Sequence, residues 1–275
     1  MDLASVREVV DARCALPWTC GDAWLAGGTS LFAEPGPGIV RLRDLTALGW
    51  KPLAATGEGL EVAATCTVAE LLSFAETPDA PWPQGRALIA ACCRAFSSSF
   101  KVWNVATVGG NLCAALPAGP MISLAVTLRG HCRVQAPDGG ERHIPAADFV
   151  TGAGTTALRP GELLRSVTLP AAALGERSAL RQVSLRPLGR SAALVTGTCE
   201  AAARHLAVTV TAATRRPVTL TFSGPPSAAR LRRELLEHLP TGLIADDVHG
   251  CPAWRRQMAL HLADEVLRDL TAGEV

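Results

Sequence analysis

The chain has no segment suited to crossing a bilayer. No window approaches the roughly 20 consecutive apolar residues that a spanning helix needs, although 48% of the residues are hydrophobic. It also has no basic block. Lys and Arg number 26 against 25 Asp and Glu. Arg215 with Arg216, and Arg230 with Arg232 and Arg233, are too short to track a nucleic-acid backbone or an anionic membrane, so neither partner is expected. Asp2, Arg7, Glu8 and Asp11 interrupt the N-terminal stretch, which therefore lacks the apolar core of a secretory signal. A cytoplasmic location is expected. The nine cysteines include no CxxC pair and have no histidine at a ligand spacing. Their odd count argues against a disulfide framework, and reduced, mostly buried thiols acting as small hydrophobes are expected, with no metal held by this chain.

Signatures of side-chain chemistry are missing as well. There is no GxGxxG after a strand, no GK[ST] loop, no HExxH and no GxSxG, which excludes the common nicotinamide, P-loop, zinc-protease and hydrolase sites. The six histidines (131, 143, 205, 238, 249, 261) are scattered. With no catalytic residue in view, the chain is expected to bind a group that brings its own chemistry, as a redox cofactor does.

What is present is a pair of glycine motifs, Ala26-Gly27-Gly28-Thr29-Ser30 and Thr107-Val108-Gly109-Gly110-Asn111. Each sets two glycines between an apolar run and a small hydroxyl or amide residue. The backbone can there bend sharply and offer its N–H groups unobstructed, which suits phosphate.

Around these motifs the patterning predicts several units. Leu3, Val6, Val9 and Val10 fit one face of a short N-terminal helix. Residues 23–26 read as a strand entering the first glycine turn, residues 35–38 as a loop and residues 39–42 as a second strand, together a small α/β unit of about fifty residues. A second unit, 51–170, opens with a strand at 60–64 and a capping box, Thr67 with Glu70, that starts a helix running to about Ala75. A loop at 77–83, a helix at 86–95 and an irregular loop at 97–104 lead into the second glycine turn, and an apolar segment follows at 121–128. Asp138-Gly139-Gly140 between 131–136 and 141–144 is a hairpin signal, and 163–169 is a strand. Residues 171–178 read as a linker. Beyond it, strands at 180–185, 193–199, 206–212 and 218–222 followed by two helices predict an α+β domain over 178–275, with Trp254, Met258, Leu262 and Val266 as a stripe on the last helix.

The two glycine motifs, Pro117-Ala118-Gly119, and Gly161-Glu162-Leu163-Leu164 running to Pro170 occur in the order seen in one group of proteins. The chain resembles the FAD-binding (medium) subunit of the molybdenum hydroxylases, the xanthine dehydrogenase and carbon monoxide dehydrogenase family. Arg181-Gln182, Gly189-Arg190-Ser191 and residues 252–258 extend the resemblance into the C-terminal region. It implies an α+β fold: the two-subdomain FAD-binding architecture of vanillyl-alcohol oxidase over 1–170, subdivided near residue 50, plus a C-terminal domain of antiparallel sheet and helices.

The resemblance further implies that FAD is held by Ala26, Gly27, Gly28, Thr29, Ser30 and Leu31 on one side of its diphosphate and by Thr107, Gly109, Gly110 and Asn111 on the other. Pro120 and Leu164 would lie near the nucleotide or flavin, and Arg181 at a basic position close to the cofactor. A bulky side chain at Gly109 or Gly110 is expected to block backbone approach to phosphate and abolish FAD retention. The implied function is electron transfer from the [2Fe–2S] clusters of a small subunit, through FAD, to an external acceptor such as NAD+, with substrate oxidised on a molybdenum-cofactor large subunit of the complex, a heterotrimer of unlike subunits. A flavin-free structural or assembly subunit and a stand-alone flavin oxidoreductase of the same fold are the alternatives. Departures from the family pattern are Pro120 and Ser30 where relatives carry Asp, and Trp103 where they carry Arg. The absence of tyrosine removes any tyrosine shield over a flavin.

Overall fold

The computed structural model describes residues 4–14, 16–34, 36–202 and 204–272. Its first layer is a three-stranded parallel sheet in the order β1-β3-β2, built from β1 (Glu8–Asp11), β2 (Asp22–Leu25) and β3 (Arg41–Asp44), with α1 (Thr29–Ala33) between the last two. No helix forms at Val6, Val9 and Val10: the last two lie in β1, paired residue for residue with β3 from Glu8↔Arg41 to Asp11↔Asp44, and Val6 precedes it. A short apolar period cannot distinguish helix from strand, and here a neighbouring strand supplies the backbone partners. Leu3 and Pro35 lie outside the described residues.

The second layer is a five-stranded antiparallel sheet, β4-β5-β10-β6-β7. In chain order this part of the chain runs β4 (Leu53–Thr56), β5 (Gly59–Ala63), α2 (Val68–Glu76), α3 (Pro83–Ala95), α4 (Phe100–Trp103), α5 (Val108–Ala114), α6 (Pro120–Thr127), β6 (His131–Gln135), β7 (Glu141–Pro145), α7 (Ala146–Phe149), β8 (Val150–Gly152), β9 (Thr155–Thr156), β10 (Leu163–Pro170) and α8 (Ala171–Leu174), with β8 and β9 paired as a separate two-stranded sheet. The capping box forms as expected: Glu70 N–H donates to Thr67 Oγ1 at 3.1 Å and Thr67 N–H to Glu70 Oε2 at 2.8 Å. So does the hairpin, where Gly140 N–H donates to Asp138 Oδ1 at 2.9 Å and Gly139 takes φ 85°. Three expectations change. Residues 100–103 of the expected loop form α4. Residues 171–174 of the expected linker form α8, because Leu174 is buried against Gly85. The second glycine turn is not a turn but the first turn of α5, with Thr107 as its N-cap.

The third layer is the antiparallel sheet β11 (Arg177–Val183), β12 (Ala193–Cys199), β13 (Leu206–Thr211) and β14 (Val218–Phe222), followed by α9 (Ala228–His238) and α10 (Pro252–Thr271). β12 and β13 are buried along their whole lengths, since α10 covers one face and α3 and α6 approach the other. Between α6 and that sheet the contact is made by hydroxyls, Ser123 to Thr211 at 2.6 Å and Thr127 to Thr196 at 2.5 Å. On α10, Leu262 and Val266 of the expected stripe are buried, whereas Met258 packs at the rim of the core. Arg255 is 1% exposed. It donates to the carbonyls of Gly250, Ala192 and Ala212 at 2.8–2.9 Å and pairs with Asp247.

Candidate functional site

The first glycine motif follows β2 without a break. A Cβ on Gly27 would fall 1.7 Å from the Val105 carbonyl oxygen and 3.2 Å from the Ala106 nitrogen. Glycine is therefore what lets this loop lie on the segment that leads into Thr107, and the two motifs, distant in sequence, meet there. Gly28 takes φ 70° and serves as N-cap of α1, a left-handed conformation that glycine adopts without cost. In the turn that follows, Phe32 N–H donates to Gly28 O at 2.8 Å and Glu34 N–H to Ser30 O at 2.9 Å. The amides of Gly27, Gly28, Thr29, Ser30 and Leu31 have no protein acceptor among the described residues, and no side chain caps the helix. A run of unpaired amides, half-buried from Gly27 to Thr29 and reaching the surface at Ser30, has the open donors that an anion cradle needs.

The second motif works differently. Val108 N–H donates to Cys66 O at 2.8 Å, Gly109 N–H to Ala64 O at 2.9 Å and Asn111 N–H to Thr107 O at 2.9 Å. Gly110 N–H is held by Thr107 Oγ1 at 2.9 Å. These amides are engaged within the protein, so they are not the open donors that the glycine pair suggested. Gly109 is glycine because α5 presses against β5: a Cβ would lie 2.4 Å from Ala64 Cβ and 2.7 Å from its Cα and carbonyl oxygen. What the motif can still offer is side-chain chemistry. Thr107 Oγ1 accepts from Gly110 and keeps its hydroxyl proton. Asn111 Oδ1 accepts from Met121 N–H at 3.1 Å, which orients the amide and leaves Nδ2 as a donor.

The remaining predicted residues fall in different places. Ala26 precedes the run of free amides and Leu31 ends it, both half-buried. Pro120, buried at the start of α6, adjoins Met121 and so lies beside Asn111. Leu164 is 3% exposed in the core of the second layer. Arg181 is not brought to the cradle. Strand alternation turns its neighbour Leu180 toward the core that contains α3 and α6, and Arg181 pairs instead with Asp269 at 2.7 Å and Glu265 at 3.8 Å on α10. Trp103 donates its indole N–H to Phe96 O at 3.0 Å and lines an open groove with Leu72, Ser73, Glu76 and Phe100, which none of the predicted site residues enters.

Sequence reasoning missed the group behind the cradle. Trp24, in β2, stacks on Trp18 with ring centroids 4.9 Å apart and donates its indole N–H to the Glu162 carbonyl at 3.0 Å. Arg43 covers both rings at 5.5 and 5.9 Å and pairs with the buried Asp22 at 2.6 Å. Burial pushes the Asp22 carboxyl up, but the Thr19 hydroxyl and the Arg43 guanidinium outweigh it and hold its pKa below the usual range. Glu162 is also held low, by the Arg142 guanidinium above all and by the Arg159 N–H, against burial. The Gly161-Glu162 pair was visible as a motif, but nothing local tied it to β2.

A family model described as the FAD binding domain in molybdopterin dehydrogenase matches residues 5–172. Xanthine dehydrogenase 1 of Arabidopsis thaliana is 32% identical over 138 residues, 48% of this chain and 10% of that protein. Xanthine dehydrogenase 2 of the same plant is 32% identical over 118 residues, 41% of this chain and 8% of that protein. The chain thus spans a tenth or less of the length of these curated relatives. Among solved structures, quinoline 2-oxidoreductase from Pseudomonas putida 86 superposes with TM-score 0.78 at 18% identity, covering 99% of both chains. CO dehydrogenase from Oligotropha carboxidovorans does so with TM-score 0.79 at 18% identity, covering 98% of this chain and 99% of that one. The fold is therefore shared along nearly the whole length, the cofactor is FAD, and the chain belongs to the family of FAD-binding domains of molybdopterin dehydrogenases.

Proposed function

We propose that this chain is the FAD-binding electron-transfer subunit of a molybdenum-containing dehydrogenase or hydroxylase complex. The observation that carries this reading is the run of unpaired amides from Gly27 to Leu31, packed through a side-chain-free contact onto the segment entering Thr107. Several donors without bulk are what a doubly charged diphosphate requires. Gly27, Gly28, Thr29, Ser30 and Leu31 would hold one side of it by backbone N–H groups, and Thr107 and Asn111 the other by side-chain donors. Gly109 serves by letting α5 approach β5, and the Gly110 N–H by donating to the Thr107 hydroxyl. Ala26 and Pro120 border the nucleotide, and Leu164 supports the wall behind it. Pro120 contributes no carboxylate, so recognition of the sugar and base would rest on fewer acceptors than in relatives with Asp.

Bound FAD supplies one- and two-electron redox chemistry that no side chain here provides. The chain's own task is to grip, orient and shield it. In this reading residues 1–170 form the FAD-binding region, of the vanillyl-alcohol oxidase type, and residues 178–275 a C-terminal flavoprotein domain. The partners are a [2Fe–2S] small subunit and a molybdenum-cofactor large subunit in the cytoplasm, with NAD+ as an external acceptor. Purified protein titrated with FAD should take up one flavin per chain and show its visible absorption bands. No bands after purification and no uptake on titration would overturn the proposal and leave the flavin-free structural subunit.

A further inference from the structure

The first sheet is loosely joined to the rest of the molecule. Its elements pack chiefly on one another, and its buried apolar residues, Leu42 and Leu45, belong to neither of the two main cores. Among the described residues, one contact that ties it down lies within the first glycine loop and another just before it. One is Gly27 against Val105 and Ala106. The other is the Trp24 indole on the Glu162 carbonyl, backed by Trp18, whose Cγ lies 3.1 Å from where a Cβ on Gly161 would stand. Trp24 is separated from Gly27 by only Leu25 and Ala26, so the position of its ring sets the height at which the loop emerges from β2.

We propose that Trp24 is a positioning residue for the nucleotide site, and that its indole N–H holds the first glycine loop in register with Thr107 and Asn111. Resting on the flavin reading above, this identifies what keeps the two halves of the site together before cofactor arrives. A ligand that must be gripped from both sides binds only the docked arrangement, so its apparent affinity falls with the docked fraction. The contact is a single neutral hydrogen bond at the seam. Its removal therefore shifts docking by a modest factor without unfolding the sheet, whose interior is held by the Arg43–Asp22 pair at 2.6 Å.

The test is Trp24→Phe, which keeps a ring for Trp18 and deletes the donor. In the apo protein, amide hydrogen exchange of Phe32 and Glu34, whose N–H groups are held by Gly28 O and Ser30 O, should quicken about three- to tenfold, the range for loss of one hydrogen bond, while exchange in α10 stays unchanged. FAD should bind more weakly, by at most that same factor because apparent affinity follows the docked fraction, and the rise in Tm on adding FAD should shrink. A purely structural tryptophan would lower the apo Tm and leave that FAD-induced rise intact. Trp18→Leu, which removes the stacking partner, is a second perturbation with the same expected sign should the first variant fold poorly. Exchange of Phe32 and Glu34 equal to wild type overturns the inference. Wild-type protein that takes up no FAD would instead sink the flavin reading, and the exchange measurement would still decide whether Trp24 docks the loop.

Discussion

Replacing Gly27 with alanine adds one methyl group at the place where the two glycine motifs meet. Its Cβ would stand 1.7 Å from the Val105 carbonyl oxygen and 2.6 Å from the Val105 carbonyl carbon. Optimal contact between such atoms is about 3.5 Å, so the loop must retreat by nearly 2 Å, because neither neighbour is a flexible side chain. A donor displaced that far from a phosphate oxygen no longer forms a hydrogen bond. Each hydrogen bond to a charged group contributes about 1.5–3 kcal/mol, so losing two costs about 3–6 kcal/mol, a weakening of FAD binding by roughly 10²–10⁴-fold. Equilibrium titration of the apo variant, followed by flavin fluorescence, measures this directly. Gly57→Ala is the control, since nothing lies within 4 Å of a Cβ there. A Gly27→Ala protein that is folded and binds FAD within tenfold of wild type would refute the juxtaposition of the two loops as the basis of the site.

Gly109→Val should act through stability rather than by blocking phosphate: a Cβ there meets Ala64 backbone atoms at 2.7 Å, and the apo variant should lose about 3 kcal/mol or more in a denaturant titration. Arg255→Leu strands the carbonyls of Gly250, Ala192 and Ala212. Each buried carbonyl left without a donor should cost about 1–3 kcal/mol, read as a lower Tm, with the apo exchange of Phe32 and Glu34 unchanged. Asp22 and Glu162 have folded-state pKa values below their ordinary ones, so the unfolded chain binds more protons and stability rises with pH through this range. Their contribution is complete above the unfolded values near 4 and disappears as pH falls through the folded ones. Unfolding free energies measured across that acid range should decline less steeply in Asp22→Asn than in wild type.

Much of the architecture was readable because local chemistry and tertiary structure agreed. Thr67 with Glu70 satisfies the orphan amides of α2 from within four residues, and Asp138-Gly139-Gly140 supplies the conformations a hairpin needs, so neither depends on distant partners. β1 was misread as a helix because its backbone partners lie in β3, across an intervening strand and helix. The alanine-rich residues 171–174 looked like a linker because what orders them, burial of Leu174 on Gly85, is not a neighbour in sequence.

The candidate site divides the same way. Residue order alone marked both glycine motifs and pointed to phosphate, and only the family resemblance to a diphosphate, since bare backbone flanked by hydroxyl and amide groups is a local property. Only the folded chain decided how each motif is used. Amides are free or taken according to whether an acceptor lies in line with them: none among the described residues accepts from Gly27 to Leu31, although the Val105 carbonyl packs on Gly27, whereas Ala64, Cys66 and Thr107 engage those of the second motif. Tertiary packing likewise turned Arg181 toward Asp269 and set the Trp24 indole on Glu162, because the direction of a strand side chain and the partner it meets follow from which layers the strand lies between.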